Sequence, residues 1–243
     1  MFATEFQPTS VPIILNFIIK RVAIFKPHLE QILFNRNKKG CHSVMLARHH
    51  PKALRSIIDF INLQTNAQTS VILKKLFFEK HEFGLTILML AARDKAESLK
   101  ILFELINKKI KIFPKENLRK LLFTKNELEY NCLMFAARNQ LTAVAHILTF
   151  IQDQPKIFSR KFFTQFLLAS EEDGVNVLMI AAQYQPTVVR FILNFIQEQP
   201  NIFSHEFLTQ FLLASDRYGA NVLMVAATYQ LDIVELLLEI LSK

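Results

Sequence analysis

The sequence predicts an all-α fold: a helical solenoid made of 45-residue units, with about three short helices in each unit. Its five internal methionines lie 44 or 45 residues apart, at positions 45, 89, 134, 179 and 224. Each of the four glycines lies five residues before one of these methionines, and Glu129 takes the remaining position. Residues 154–189 and 199–234 are identical at 23 of 36 positions. Self-similarity at such a fixed period is typical of tandem-repeat solenoids.

The first two helices of each unit are predicted from the best-matched repeats. The first begins near Asn176 and carries Leu178, Met179 and the pair Ala181-Ala182, whose small side chains allow neighbouring helices to approach closely. We expect the methionine of each first helix to be buried between units. The second has an apolar stripe at helical spacing and is broken at a Gln-Pro pair. The stripe consists of Val188, Ile192, Leu193 and Ile196.

A third helix is predicted to start at Ser159 and Ser204, which stand where an N-cap belongs. The apolar pattern Phe162, Phe163, Phe166 and Leu167 follows Ser159, and Gly174 is expected to end the segment in a turn. The corresponding helices of earlier repeats are traced through Leu73/Leu76/Phe77 and Leu118/Leu121/Leu122.

The N-terminal segment predicts a partial repeat that caps the array. Residues 15–18 match the second helix of repeat four, and Leu29/Ile32/Leu33 match a third helix, but no first helix is expected here. The apolar run from Val11 to Ile19 is too short to span a bilayer and lacks a preceding positive charge, so we predict a helix of the array rather than a signal peptide or anchor. The predicted boundaries within one domain are 1–39 (cap), 40–83, 84–128, 129–173, 174–218 and 219–243 (partial repeat five).

The last repeat resembles an ankyrin repeat. The pattern Asp216-x-x-Gly219-x-Asn221-x-Leu223-Met224-x-Ala226-Ala227, followed by Val234-x-x-Leu237-Leu238, is similar to the family's D-x-x-G-x-T-P-L-H-x-A-A and V-x-x-L-L. Here Met replaces the family's His, the Pro is missing, and each unit exceeds the usual 33 residues by about a dozen, which hold the third helix. Armadillo-type repeats, with three helices in 40–47 residues, are the alternative architecture.

Charge is unevenly distributed along the chain. Residues 1–125 hold 22 Lys+Arg and 9 Asp+Glu, whereas residues 126–243 hold 7 and 12, so the halves carry +13 and −5. The basic half is consistent with a role in solubility alone. It also fits contact with an acidic partner, nucleic acid or an anionic membrane.

Motifs for catalysis are missing from the sequence. It has no phosphate-binding glycine loop, no H-E-x-x-H and no C-x-x-C. We predict no cofactor and no metal, although Cys41, His42, His49 and His50 form a local cluster that leaves a soft metal site as an alternative. An enzyme with a hidden active site is the third function hypothesis, and this cluster is its only support.

The resemblance implies a non-enzymatic protein-binding module whose partner contacts the turn tips and first helices, on the concave face. Carried over by position, the predicted contact residues are His49, His50, Arg93, Asp94, Arg138, Asn139, Gln183, Tyr184, Arg217, Tyr218, Thr228 and Tyr229. We expect a monomer with a protein partner, acidic where it meets the N-terminal end. Binding of nucleic acid by the basic half is the alternative. Similar divergent arrays occur in proteins that intracellular bacteria deliver into host cells, so we expect a cytoplasmic location or the host cytosol.

Overall fold

The computed structural model describes residues 1–64, 66–111 and 113–242. Throughout these residues the secondary structure is helical, apart from three isolated bridges in the turns, and no strand forms. The chain divides into two compact units, Met1–Leu121 and Leu122–Lys243. The predicted all-α class and its helical repeats are confirmed. None of the described helices is long and apolar enough to cross a bilayer.

The first unit contains a short N-terminal segment followed by two three-helix repeats. Its α-helices are α1 (Phe2–Phe6), α2 (Val11–Lys20), α3 (Val22–Phe25), α4 (Leu29–Phe34), α5 (Ser43–Leu46), α6 (Pro51–Asn62), α7 (Asn66–Phe78), α8 (Ile87–Asp94), α9 (Ala96–Lys108) and α10 (Lys115–Phe123), the last of which crosses the unit boundary. Short 3-10 helices span Pro8–Ser10, Lys26–His28, Ala47–His49 and Glu82–Gly84.

The second unit contains two three-helix repeats and the two helices of a fifth. These are α11 (Cys132–Asn139), α12 (Leu141–Gln152), α13 (Arg160–Leu168), α14 (Val177–Tyr184), α15 (Pro186–Gln197), α16 (His205–Leu213), α17 (Val222–Tyr229) and α18 (Leu231–Leu241). First helices pack on first helices, as α14 does against both α11 and α17, and second helices pack on second helices. Each repeat therefore buries its apolar faces mainly against its neighbours.

The repeated methionines form the core between first helices. Met45, Met89, Met134 and Met179 are at most 1% exposed, as the repeat pattern predicts. Met224 is the exception at 55% exposure, so its predicted burial is wrong. The physical reason is that no helix of the described chain packs on the outer face of α17.

Each first helix has a side-chain cap at the position where the ankyrin pattern has Thr. Asn131, Asn176 and Asn221 accept a hydrogen bond from the backbone N–H of the following methionine, at 3.0 to 3.1 Å. Thr86 does the same through its hydroxyl, and His42 through Nδ1. The cap is thus retained without the family's Pro, because several short polar side chains place an acceptor at this distance.

The N-terminal segment contains two more α-helices than the sequence predicts, α1 and α3. α2 packs on α6 and α4 packs on α7, so the expected second-helix and third-helix equivalents are present. The five-residue α1 packs on α5, where a first helix belongs, and buries Thr4. The prediction of no first helix is therefore wrong. The L-M-x-A-A motif is absent here, but a shorter helix still covers the outer side of α5.

A tight turn precedes each complete first helix. All four glycines adopt positive φ angles of 71° to 85°, and Glu129 adopts φ 59° at the fifth position. The third helices end at Leu168 and Leu213, six residues before the glycines, so the glycines shape the turns rather than ending the helices as expected. The left-handed conformation explains why glycine recurs at this position.

Candidate functional site

The turn tips are fixed by one side-chain oxygen in each turn. Asp216 Oδ1 accepts hydrogen bonds from the backbone N–H groups of Tyr218 and Ala220, both at 2.9 Å. Asn126 and Glu171 make the equivalent pairs of hydrogen bonds in the two preceding turns. Because these contacts order the backbone, the residues at the tips project from rigid positions.

Successive turns of the second unit also contact each other. The backbone N–H of Arg217 donates to the carbonyl of Asp173 at 2.7 Å, and its guanidinium lies 2.6 Å from the Asp173 carboxylate. The same guanidinium lies over the Tyr218 ring, 4.8 Å from the centroid. Tyr218 is 76% exposed, so the turn presents an aromatic ring held by its neighbours.

The ends of two first helices meet beside these turns. The Arg138 guanidinium of α11 lies over the Tyr184 ring of α14, 4.5 Å from the centroid. Tyr184 is 41% exposed, and Tyr229, its equivalent on α17, is 54% exposed. The structure thus brings together two predicted residues, Arg138 and Tyr184, whose sequence separation is one repeat plus one residue.

Tyr130 belongs to the same surface, although it is not among the predicted residues. Burial raises the pKa of its hydroxyl, the charge of Glu171 raises the pKa further, and Arg138 opposes both. Its ring also packs on Phe135, with centroids 5.5 Å apart. The signal in the sequence is an aromatic residue directly after the turn position, where the other turns have Cys41, Leu85, Val175 and Ala220.

The remaining predicted residues of the second unit are less prominent. Asn139 is exposed, but its amide donates to the Phe135 carbonyl at 2.8 Å. Thr228 is exposed and donates to the Met224 carbonyl at 3.1 Å, while Gln183 is half-buried. All three residues lie at the C-terminal ends of first helices, but Asn139 and Thr228 form hydrogen bonds with their own helices.

In the first unit, Asp94 is the centre of an ion network. Arg48 Nε donates to one carboxylate oxygen at 2.7 Å, and Arg93 Nε donates to the other at 2.6 Å. Burial raises the pKa of Asp94, but the hydrogen bonds from Arg93 and Arg48 outweigh it and hold this pKa below its usual value. The Asp94 side chain is only 14% exposed. Arg48, which joins the network from the preceding repeat, is not among the residues predicted from the sequence.

His49 and His50 border a surface groove of about 580 Å³. The His49 side chain is half-exposed and lies 3.7 Å from Asp94. Burial and the neighbouring Arg48 lower the pKa of His49, so its ring is mostly neutral near pH 7. Other residues that line the groove are Pro8, Thr9, Pro12, Pro51, Lys52, Ser56, Lys95 and Glu97.

The cysteine–histidine cluster separates in the structure. Cys41 and His42 are buried, and the His42 ring packs edge-on against Phe34 while its Nδ1 caps α5. His49 instead lies at the exposed end of the following 3-10 helix. Within the described ranges, no three His, Cys, Asp or Glu side chains are grouped closely enough to hold a metal ion.

The second unit coincides with the part of the chain that matches a known family. Residues 133–242 match the family model described as ankyrin repeats, in three copies. The matched residues, which make up less than half of the chain, are therefore similar to ankyrin repeats. The matched ankyrin repeats contain α11 to α18, with a third helix added to each complete repeat. A comparison with curated proteins gave no match.

Proposed function

We propose that this ankyrin-repeat chain is a non-enzymatic protein-binding module. The proposed contact is the tyrosine–arginine surface of the second unit, defined as Tyr130, Arg138, Tyr184, Arg217, Tyr218 and Tyr229. Ankyrin repeats are generally protein–protein interaction modules, and the family is typically non-enzymatic. The observation that carries the proposal is the array of exposed tyrosine rings, two of them stacked with arginine.

The chemistry of this surface suits a protein partner. Tyrosine and arginine are enriched among the interface residues that contribute most to binding, since each combines a large contact area with polar groups. The Tyr184 and Tyr218 rings are held in place by guanidinium contacts, so little freedom of these two side chains is lost on binding. Asn139, Gln183 and Thr228 are proposed to lie at its margin.

Capture of a partner from eukaryotic cell lysate tests the proposal. The test variant combines Arg138→Ala, Tyr184→Ala, Tyr218→Ala and Tyr229→Ala. A matched control carries four replacements at exposed positions of α13 and α16, Arg160→Ala, Lys161→Ala, Gln165→Ala and Leu213→Ala. We expect a protein that is retained by the wild type and the control and lost with the test variant. Equal capture by the test variant would remove this surface from consideration.

In the first unit, His49 and His50 are proposed to contribute to binding through the groove that they border. Lys52 and Lys95 outnumber Glu97 there, and the groove therefore favours an acidic partner segment. Arg93 and Asp94 remain proposed contact residues, but Asp94 also stabilises the fold. Replacing Lys52 and Lys95 by Glu, with Arg93 and Asp94 intact, should reduce capture of an acidic partner. Capture that is unaffected would restrict the site to the second unit.

Nucleic-acid binding is the second candidate function, and it is favoured by the basic first unit. Several of its basic groups are already paired, including Arg36 with Glu79, Arg48 with Asp94 and Arg55 with Glu104. Binding that depends on phosphate contacts must weaken steeply with salt. Lysates are therefore treated with nuclease and tested at two salt concentrations. Captured material that is lost after nuclease treatment and also at the higher salt concentration would favour nucleic-acid binding.

Action inside a host cell, as a protein delivered by an intracellular bacterium, is also part of the proposal. Its support is the resemblance to such arrays alone. Specific capture of a eukaryotic protein, and none from bacterial lysate, is the expected result. Capture from bacterial lysate alone would argue against a host target.

A further inference from the structure

Helix α2 is mostly apolar, with Asn16 and Lys20 as its polar residues, but it is covered on one side only. Val11, Leu15 and Ile18 are at most 7% exposed. On the other side, Ile13, Ile14 and Phe17 are 72%, 45% and 48% exposed, respectively. Large apolar side chains that are exposed together on one helix face normally mark a contact surface. Something apolar is therefore expected to contact the outer face of α2.

Three of the exposed apolar residues form one stripe on the helix, and Ile19, which is 40% exposed, lies outside it. With about 100° between successive residues, Ile13, Phe17 and Ile14 fall within a sector of about 100°. The packing of α6 on α2 accounts for the buried side. Ile24, in the short helix α3 that follows, is 64% exposed and adds a further aliphatic side chain nearby in the chain. Large apolar side chains gathered in this way mark an interaction surface rather than scattered exposure.

Basic side chains border this stripe. Lys20 and Arg21 end the helix and are exposed, and the Arg21 guanidinium lies over the Phe17 ring, 4.1 Å from the centroid. Lys26 is also exposed. Glu5 is the only acidic residue among residues 1–29. The surface that complements α2 therefore combines an apolar layer with negative charge.

An anionic lipid surface has both properties. A second copy of the chain that met this one stripe to stripe would offer the same basic border, so that contact would supply no negative charge. The ten residues of α2 extend about 15 Å, which is half the hydrocarbon thickness, and the helix can only lie along a membrane surface. Apolar contact combined with attraction to anionic headgroups is how interfacial helices bind.

We propose that α2 is a peripheral membrane contact that binds anionic lipid. Ile13, Ile14 and Phe17 enter the boundary between headgroups and acyl chains, and Lys20 and Arg21 lie at the lipid phosphates. This contact is independent of the tyrosine–arginine surface, so the protein would bind its partner at a membrane surface.

Co-sedimentation of the full chain with vesicles tests the proposal. Phosphatidylcholine vesicles are compared with vesicles that also contain phosphatidylserine. We expect binding to the mixed vesicles only, reduced at least tenfold by Ile13→Ser with Phe17→Ser. Lys20→Glu with Arg21→Glu should also reduce it at least tenfold, because each basic residue near such a surface contributes about fivefold. Added salt should weaken the wild-type interaction.

Two matched variants distinguish vesicle binding by α2 from non-specific binding through other apolar or basic residues. Leu63→Ser with Phe83→Ser removes an aliphatic and an aromatic residue that are each 67% exposed elsewhere in the first unit. Lys108→Glu with Lys111→Glu reverses two exposed basic residues that are not part of α2. Both should bind like the wild type, and circular dichroism should show all variants folded.

Three results would overturn the proposal. The first is that the wild type does not bind the phosphatidylserine vesicles. The second is that the α2 variants and their matched controls lose vesicle binding equally. The third is that the chain forms a concentration-dependent oligomer, which Ile13→Ser with Phe17→Ser abolishes, and does not bind vesicles. The last result would assign the stripe to a second copy of the chain. Binding of nucleic acid or a captured protein through these residues, again without vesicle binding, would likewise contradict it.

Discussion

At the scale of single residues, the turn glycines differ in what surrounds them. Gly174 and Gly219 share positive φ angles of 85° and 81°. A Cβ at Gly174 would lie 3.1 Å from the Cα of Asp216 in the next turn, whereas a Cβ at Gly219 would meet nothing within 4 Å. Gly219 is therefore required by its backbone conformation alone. Gly174 is required by its conformation and also by the close approach of two turns.

We expect Gly219→Ala to lower the free energy of unfolding by about 1 kcal/mol, the usual cost of a left-handed conformation with a side chain. Gly174→Ala should lower it by about 1 kcal/mol more, because the Asp216 backbone must move. Urea unfolding of the two variants measures the difference. Equal losses would mean that the stacking of these turns adds nothing to the requirement for glycine.

The cap residue His42 should make stability depend on pH. Burial and then the charge of Arg36 lower the pKa of His42 to about 3 in the folded chain, against about 6.5 when unfolded. Between these values the unfolded chain binds a proton that the folded chain does not. Stability is therefore lost as pH falls below about 6.5, by up to about 1.4 kcal/mol per pH unit.

His42→Asn isolates this contribution, because Asn already caps α11, α14 and α17 without titrating. We expect the stability difference between pH 7 and pH 5 to be smaller in the variant than in the wild type. Since His49 and His81 are present in both proteins, their titration cancels in the comparison. The same pH dependence in both proteins would contradict a buried neutral His42.

At the scale of helices, Asp94 connects consecutive first helices of the first unit. Its carboxylate pairs with the nearly buried Arg48 of the preceding repeat, whereas Arg93 is about one-third exposed. Asp94→Ala leaves Arg48 with a buried, uncompensated charge and should cost about 3 kcal/mol. Arg93→Ala should cost less than about 1 kcal/mol, since exposed pairs contribute little. Thermal and urea unfolding compare the stability of the two variants. Similar losses of stability would indicate that Asp94 does not compensate the charge of Arg48.

Helices and contacts differ in how far the sequence could predict them. The first helices, the serine caps at Ser159 and Ser204 and the buried stripe of α15 were predicted, because each rests on residues close together in the chain. α1 was missed, since five residues without the repeat motif give almost no periodic signal. Arg48 and Tyr130 were missed because their roles depend on contacts with a neighbouring repeat, which local patterns do not specify.

At the scale of the whole molecule, the repeated methionines have two environments, since Met179 is buried and Met224 is exposed. Met179→Asp buries an unpaired charge and should cost at least about 3 kcal/mol, whereas Met224→Asp, at an exposed site, should cost less than about 1 kcal/mol. Because each repeat contacts mainly its neighbours, hydrogen exchange in the Met179 variant should increase most in α11, α14 and α17. A Met179 variant as stable as the wild type would refute the packing of the first helices.

The repeat period predicted the architecture, but not the division into two compact units. Spacing fixes which residues are equivalent, and packing between equivalent residues then follows. The repeat spacing carries no information on where the chain divides into compact units. The exposure of Met224 shows the same limit, since the residue matches its equivalents in sequence and differs only in what covers it.

The distribution of tyrosine gives the protein an intrinsic optical probe. The chain has no tryptophan, and all four tyrosines, at positions 130, 184, 218 and 229, lie in the second unit. Emission excited near 280 nm therefore reports the second unit alone, whereas far-ultraviolet circular dichroism reports both. Because all four rings belong to the proposed contact, an unlabelled partner without aromatic residues would be detected through a change in tyrosine emission.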